Sequence, residues 1–335
     1  MSSKKKIFFK NNFEFLRLIC AIQVMLSHIL SDEIKKIIYL ENFPGVPIFF
    51  FISGYLVFAS FDKNPNVKIF YLNRILRIYP ALFVVSILGL VLIFKIYSNY
   101  DSVDYLEAIR WFFFQLTLGQ DYNPYNIEQK INWVTWTLKI EILFYLIVPI
   151  FFINKKLTKY LVYLFLIVSF LYWVFFANVD NRYIYQINLT PLKAGWMFMI
   201  GSIFYLNFNF LYKYKKYLFF SIILVFILIL FNQNSFLLRS STGSYDLGLL
   251  YFLLLVTFIF WFAYSVNIKI FRINFDLSYS IYLYHSLIIN YLWVFFGKSS
   301  FFLVVFNTLI LSIFSWFFIE RKFLKLKINN LKRVY

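Results

Sequence analysis

Residues 13–30 read FEFLRLICAIQVMLSHIL, a mostly apolar stretch that nevertheless contains Glu14, Arg17 and His28. A helix that spans a bilayer needs about 20 mostly apolar residues, and similar stretches recur along the whole chain of 335 residues. The sequence is 62% hydrophobic and has a mean hydropathy of +0.72. This composition predicts an all-α, polytopic integral membrane helix bundle and excludes a pair of soluble domains.

About ten apolar runs are predicted to cross the bilayer. They are residues 13–30, 44–61, 78–96, 131–151, 160–177, 191–206, 217–231, 246–266, 277–296 and 300–319. Connections rich in Lys and Arg alternate with connections poor in them, which is the positive-inside pattern of an even-numbered bundle. Lys4, Lys5, Lys6 and the basic tail 321–335 fall on the same predicted side, so both termini are predicted to be cytoplasmic.

The remaining features favour a single membrane domain over residues 1–335, with its core at about 13–320. The formal charge of +18 comes from short basic clusters between apolar runs, so it indicates membrane orientation and not nucleic acid binding. The single cysteine, Cys20, is interpreted as core filler, and the apolar run that follows Lys4–Lys6 as a retained helix and not a cleaved signal peptide. The connection 97–130 is predicted to contain a re-entrant or interfacial helix.

Charged residues inside the predicted crossings are the first candidates for function, because each costs about 2.5–3.5 kcal/mol at a helix centre. Arg17 and His28 are eleven positions apart, which places them within about 20° of one helical face and about 16 Å apart along the axis. A long ligand could touch both. The alternative is an interfacial Glu14–Arg17 pair with His28 as a packing residue.

Two further segments carry charge near or inside the crossings. In FYLNRILRIYP, Arg74 and Arg77 are three positions apart, which suits a phosphate clamp and is equally typical of positive-inside anchoring. In WVTWTLKIEILFYLIVP, Glu141 lies inside the fourth crossing, one turn before Tyr145. A pair between Lys139 and Glu141 is disfavoured because residues two apart do not face each other on a helix.

The segment DLSYSIYLYHSLI contains the second histidine of the chain. Ser278, Tyr282 and His285 are spaced four and three residues apart, so they share one helical face. Asp276 is interpreted as a plain N-cap of the helix that follows.

These segments together resemble the membrane acyltransferase-3 family over nearly the whole chain. The resemblance is carried by Arg17 and His28 with ten residues between them, by GVPIFFFISGYL, NRILRIYP, WTLKIEILFYLIVP, LSYSIYLYH and FIERKF. It implies transfer of an acyl group, usually acetyl from acetyl-CoA, to hydroxyls of O-antigen, capsule or exopolysaccharide. Glu14 stands where many members have Asp, and Lys139 enters a segment that often lacks a base, which puts the acceptor preference in doubt.

The resemblance also implies roles for individual residues. Arg17 and His28 match the essential pair of the first helix, Arg74 and Arg77 match the basic motif associated with the acyl donor, and Glu141 and His285 match recurrent polar positions. We therefore predict three groups of site residues. The catalytic residues are His28, Arg17 and Glu141. The donor-binding residues are Arg74, Arg77 and Arg17, and the supporting residues are Glu14, Ser53, Tyr145, Ser278, Tyr282 and His285.

The predicted chemistry places His28 as general base or transient acyl carrier, with Glu141 or Glu14 fixing its tautomer and Tyr145 or Ser53 donating to the oxyanion. No permanent cofactor or metal is predicted, and the expected partners are acetyl-CoA, a carbohydrate acceptor that is free or lipid-linked, and the lipid bilayer of a bacterial inner membrane. The competing hypothesis is a transporter or flippase for a glycan, since charges inside a membrane also mark substrate paths.

Overall fold

The structure is a computed structural model that describes residues 11–97, 105–117, 131–176, 190–230, 247–266, 276–297 and 299–332. Every regular element in these ranges is helical. In chain order the α-helices are α1 (Phe13–Ile29), α2 (Asp32–Ile37), α3 (Gly45–Lys63), α4 (Val67–Tyr97), α5 (Tyr105–Leu116), α6 (Thr135–Phe151), α7 (Thr158–Phe176), α8 (Pro191–Leu206), α9 (Phe208–Lys213), α10 (Lys215–Leu218), α11 (Phe220–Leu230), α12 (Leu249–Ser265), α13 (Ser278–Phe296), α14 (Phe301–Ser315) and α15 (Arg321–Lys332).

Each predicted apolar run contains a helix, which confirms the all-helical fold class for the described residues. Within the described residues, four helical segments are long and apolar enough to cross a membrane, namely Leu40–Lys63, Val67–Ile96, Thr158–Phe176 and Phe301–Leu326. Ten crossings, cytoplasmic termini and a single domain stay predictions. Lys4–Lys6 and part of the 97–130 connection lie outside the described residues.

Some boundaries differ from the predicted ones. Helix α4 begins at Val67, eleven residues before the predicted crossing, so Arg74 and Arg77 belong to the helix itself. Helix α5 fills part of the 97–130 connection, in agreement with the helix predicted there. A wide π-helical turn at Trp316–Glu320 joins α14 to α15 without a break in the helical path.

The bundle has an apolar exterior, as a membrane protein requires. Large hydrophobic side chains such as Leu164 on α7, Phe226 on α11 and Phe302 on α14 are more than half exposed. Inside, α3 packs closely against α8, and α13 packs against α1, α4 and α14. Helix α13 therefore lies where three other helices can bring side chains to it.

Hydrogen bonds at both ends hold α1 in place. Asn12 donates to the carbonyl of Val266 at 2.6 Å, which attaches the start of α1 to the end of α12. Further along α1, Gln23 accepts from the backbone N–H of Gly45 at 2.8 Å and donates to the carbonyl of Leu40 at 3.0 Å. Because all three backbone groups lie at helix ends or turns, these bonds position α1 without disturbing a helical ladder.

Candidate active site

Two arginines meet one aspartate at the start of α13. Oδ2 of Asp276 lies 3.3 Å from Nη1 of Arg17 on α1 and 2.9 Å from Nη2 of Arg77 on α4. Arg17 forms its salt bridge with Asp276 and not with Glu14, the alternative that spacing left open, and Glu14 lies on the exposed side of α1.

Asp276 has a second role at the start of α13. The N-cap residue is Leu277 and not Asp276 as predicted. Oδ1 of Asp276 nevertheless accepts from the backbone N–H of Ser278, the first residue of α13, at 3.2 Å and from the Ser278 hydroxyl. Burial raises the pKa of the carboxyl, but the charges of Arg17 and Arg77 outweigh burial and hold this pKa below its usual range. The interpretation as a plain cap was incomplete, because the Asp276 carboxylate also pairs with arginines of two other helices, Arg17 of α1 and Arg77 of α4.

The phosphate clamp of Arg77 and Arg74 stays a prediction, and within the protein the two arginines have different partners, those of Arg74 being aromatic rings. The guanidinium carbon of Arg74 lies 5.0 Å from the ring centre of Phe70 and 5.1 Å from that of Tyr145, which are cation–π distances. Nε of Arg74 is buried and has no hydrogen-bond partner. The two arginines thus have different partners, and Arg74 retains hydrogen-bonding capacity for an anion.

Glu141 accepts hydrogen bonds from two hydroxyls that were predicted to serve the oxyanion. Ser53 on α3 donates to Oε1 of Glu141 at 3.0 Å, and Tyr145, one turn along α6, donates to the same oxygen. These contacts direct both hydroxyl hydrogens to the carboxylate and not to an oxyanion. Within the described part of the chain, the hydrogen bonds of the histidines do not involve Glu141 or Glu14, so neither carboxylate fixes a histidine tautomer.

A partly open cavity, whose empty space of about 450 Å³ includes open solvent at its mouth, lies between α1, α3, α6 and α13. Arg17 contributes its basic wall, Ser53 and Glu141 contribute polar groups, and Ser278 and Tyr282 line the α13 side. The remaining lining residues are Val46, Phe49, Phe50, Thr137, Leu138 and Tyr279. Five of the eleven residues predicted from the sequence therefore surround one cavity.

The two histidines of the chain form a pair next to this cavity. Nδ1 of His28 lies 3.0 Å from Nε2 of His285, and the rings are stacked with their centres 5.2 Å apart. His285 is fully buried, whereas His28 is exposed and meets the ring of Trp133 edge-on at 5.8 Å. The ring of Tyr282, which lines the cavity, is 6.0 Å from that of His285.

Sequence reasoning missed several residues of this site. Trp133 and Thr137 were not singled out, although the Thr137 hydroxyl lies 2.6 Å from the Tyr282 hydroxyl and both are close to the carbonyl of Val134. The sequence feature that could have identified Trp133 and Thr137 is their position shortly before Glu141 in the same segment. The predicted shared face of Ser278 and Tyr282 is correct, since both line the cavity.

Comparisons with known proteins identify the family of the chain. Residues 10–321 match the acyltransferase domain of the acyltransferase-3 family. The O-acetyl transferase of Shigella phage Sf6 is 29% identical over 335 residues, covering 94% of this chain and 96% of the phage protein. Nodulation protein 10 of Rhizobium leguminosarum bv. viciae is 32% identical over 218 residues, 57% of this chain and 58% of that protein.

A more distant relative is the peptidoglycan O-acetyltransferase of Listeria monocytogenes serovar 1/2a, 27% identical over 201 residues. That alignment covers 54% of this chain and 28% of the Listeria protein, so the chain matches less than two thirds of two of these three relatives. No solved structure matches the chain significantly. Because the family match spans nearly the whole sequence, the chain belongs to the acyltransferase-3 family, and its membrane helix bundle is an acyltransferase domain.

Proposed function

We propose that the protein is a membrane O-acetyltransferase that moves an acetyl group from cytoplasmic acetyl-CoA to a hydroxyl of a cell-surface carbohydrate. The acceptor class is O-antigen or other lipopolysaccharide, capsule or exopolysaccharide, free or lipid-linked, and the setting is a bacterial inner membrane. Family membership and the names of the relatives support acyl transfer. The observation that carries the proposal is the cavity that begins at Arg17 and reaches the tyrosine beside the histidine pair.

The donor's phosphates are proposed to bind at the arginine cluster. Arg17, Arg74 and Arg77 bring three positive charges, whereas Asp276 supplies one negative charge directly to two of them. Guanidinium groups suit phosphate because they offer several N–H donors in a fixed plane. Arg74 has hydrogen-bonding capacity left for a phosphate, since its buried Nε is unpartnered and two aromatic rings hold its guanidinium.

The cavity is proposed to hold the flexible arm of the donor. The arm is largely apolar with two amide groups, and the cavity combines apolar walls from Phe49 and Phe50 with polar groups from Ser53 and Glu141. The carboxylate of Glu141 can accept from an amide N–H in addition to its two hydroxyl donors. The thioester end then lies toward Tyr282 and the histidines.

His28 is proposed as the general base. It takes the proton from the acceptor hydroxyl as that oxygen attacks the thioester carbonyl, and it returns the proton to the departing thiolate when the carbon–sulfur bond breaks. The exposed edge of His28 and the neighbouring indole of Trp133 provide an approach for a sugar that does not pass through the donor cavity. Donor and acceptor can therefore reach the imidazole from different sides.

The test is mass spectrometry of surface glycans from cells with the wild-type protein, with His28→Ala or Arg17→Ala, and without the gene. Membrane levels of the protein are matched, and Asn307→Ala serves as control because Asn307 bonds only to the Leu303 carbonyl of its own helix in the described contacts. With the wild-type protein we expect a glycan mass increment of one acetyl group. With His28→Ala we expect the rate at which acetylated glycan forms to fall at least 100-fold. An unchanged increment contradicts the role of His28, and altered glycan export without any acetyl increment favours the transporter hypothesis.

A further inference from the structure

A chain of hydrogen bonds links the exposed histidine to a backbone carbonyl. Nδ1 of His285 lies 3.0 Å from the carbonyl oxygen of Ile281, one turn earlier on α13. Nε2 of the same ring lies 3.0 Å from Nδ1 of His28. The series therefore runs from the Ile281 carbonyl through both nitrogens of His285 to one nitrogen of His28.

The chemistry of the groups decides where the hydrogens lie. A carbonyl oxygen only accepts, so Nδ1 of His285 carries the hydrogen that it donates to Ile281. In a neutral imidazole the other nitrogen is then an acceptor, so Nε2 of His285 accepts from Nδ1–H of His28. By the same rule, a neutral His28 has its unprotonated nitrogen at Nε2.

We propose that His285 is a positioning residue that holds His28 in the Nδ1–H tautomer, so that Nε2 of His28 is the atom that takes the acceptor's proton. The inference rests on the proposed function and adds the atom and the residue that selects it. His285 is fully buried and cannot meet a bulky carbohydrate itself, whereas His28 is exposed. The ring planes are 14° from parallel, which is compatible with an N–H···N bond that lies close to both planes.

The proton balance of the step is closed without a second acid or base. The hydroxyl O–H bond breaks and its proton goes to Nε2 of His28, while the hydroxyl oxygen forms a bond to the acyl carbon. The carbon–sulfur bond then breaks, and the same proton passes from Nε2 to the thiolate. During the step His28 carries a positive charge, and its Nδ1–H bond to Nε2 of His285 stabilises that charge without a further proton transfer.

A neutral partner suits the location of the pair. Histidine bases in many enzymes are oriented by a carboxylate, but an ionised carboxylate inside a membrane bundle is costly unless it is paired. Glu141, the carboxylate predicted for this task, is occupied by the hydroxyls of Ser53 and Tyr145. The carbonyl of Ile281 orients the hydrogen bonds of the two histidines without placing a charge inside the bundle.

The test compares three substitutions of His285 that differ in the position of their hydrogen-bonding atoms. His285→Gln places an amide oxygen near the original Nε2, where it can still accept from His28. His285→Asn places its amide near the original Nδ1, where it reaches the Ile281 carbonyl but not His28. His285→Phe keeps the ring and removes both functions.

The readout is the initial rate of radiolabel transfer from acetyl-CoA to the glycan of isolated membranes, at varied donor concentration and equal amounts of heat-stable protein. We expect Asn and Phe to lower kcat about 100-fold or more, with the KM for acetyl-CoA changed less than threefold, and Gln to retain at least tenfold more kcat than Asn. Equal rates for Gln and Asn, or wild-type rates for all three, overturn the inference. A wild-type protein that transfers no label contradicts the proposed function instead.

A measurement on the wild-type protein is independent of whether the variants fold. Diethylpyrocarbonate acylates an accessible unprotonated histidine nitrogen, and the chain has two histidines. The inference predicts that peptide mass spectrometry finds the adduct on His28 well before His285. Equal modification of both overturns it, since Nε2 of His285 is then not engaged as an acceptor.

Discussion

The carboxylate of Asp276 connects three elements through two oxygens. One oxygen contacts both Arg17 and Arg77, and the other accepts from the backbone and the side chain of Ser278. A partly buried ion pair of this kind contributes little net stability over an apolar contact, but removal of one partner leaves the other charge without compensation. Removal of the Asp276 carboxylate is therefore expected to lower the free energy of unfolding by more than the loss of its hydrogen bonds alone.

Asp276→Asn is predicted to destabilise the bundle by about 3–5 kcal/mol, because Arg17 and Arg77 lose their shared anion. SDS titration of the purified protein followed by circular dichroism measures the change. Ser278→Ala is the matched control, since it removes one hydroxyl donor to the same carboxylate and is expected to cost about 1 kcal/mol. Equal costs for the two variants contradict a charge-sharing role for Asp276.

Helices α3 and α8 approach each other closely because glycines lie at their contact. A Cβ atom at Gly54 of α3 would overlap the backbone carbonyl of Phe198 on α8, and one at Gly201 of α8 would overlap the carbonyl of Phe51. Small residues let membrane helices approach closely, which increases packing where no hydrophobic effect drives association. The same crossing stacks Phe144 of α6 on Phe198 with ring centres 4.0 Å apart, so the position of the Glu141 helix depends on it.

Gly54→Ala is predicted to destabilise the α3–α8 contact by roughly 1–3 kcal/mol, because the added methyl group meets a backbone atom that cannot rotate away. The shift in the SDS or thermal unfolding midpoint measures this cost. Ser60→Ala on the same helix is the control and is expected to change stability by about 0.5 kcal/mol or less. A Gly54→Ala protein as stable as the control contradicts the close approach.

Helix α13 has buried polar side chains, two of which find their partners on other segments. Tyr279 donates to the carbonyl of Ile78 at 2.8 Å, and Asn290 donates to the carbonyl of Ile131 at 2.9 Å. Polar groups inside a membrane bundle need such partners. These contacts fix the rotation of α13 and thereby aim Tyr282 and His285 at the site.

The whole molecule is predicted to have its arginine cluster toward the cytoplasm and His28 toward the opposite side. The basic connection that contains Lys155, Lys156 and Lys159 is on the predicted cytoplasmic side, and α2, which follows His28, is on the outer side. This orientation places the donor-binding end of the cavity in the compartment that contains acetyl-CoA.

Cysteine labelling in intact cells tests the orientation. In a Cys20→Ala background, Ile37→Cys on α2, at a position that is 75% exposed, is predicted to react with a membrane-impermeant maleimide. Lys156→Cys, in the basic connection, is predicted to react only after the cells are permeabilised. Labelling of Lys156→Cys in intact cells contradicts cytoplasmic termini and reverses the proposed sides of donor and acceptor.

The sequence predicted the helices well because their formation is a local matter. Backbone groups in lipid must be satisfied within each segment, so an apolar run of sufficient length becomes a helix wherever it lies in the chain. The start of α4 at Val67 escaped this reasoning, because the Arg74–Arg77 segment is polar enough to resemble a connection while its backbone continues the helix. The helical periodicity of Ser278 and Tyr282 was likewise readable, since neighbours on a helix face follow from spacing alone.

What the sequence determined by itself is the fold class, the family motifs and the list of polar residues to consider. Which of them meet was decided by the tertiary structure. His28 and His285 are 257 positions apart, and Arg17 and Asp276 are 259 apart, so no local pattern couples them. The physical reason is that these partners depend on how α13 packs and rotates against α1 and α4, and that packing is set by close contacts along entire helices, which spacing in one segment cannot reveal.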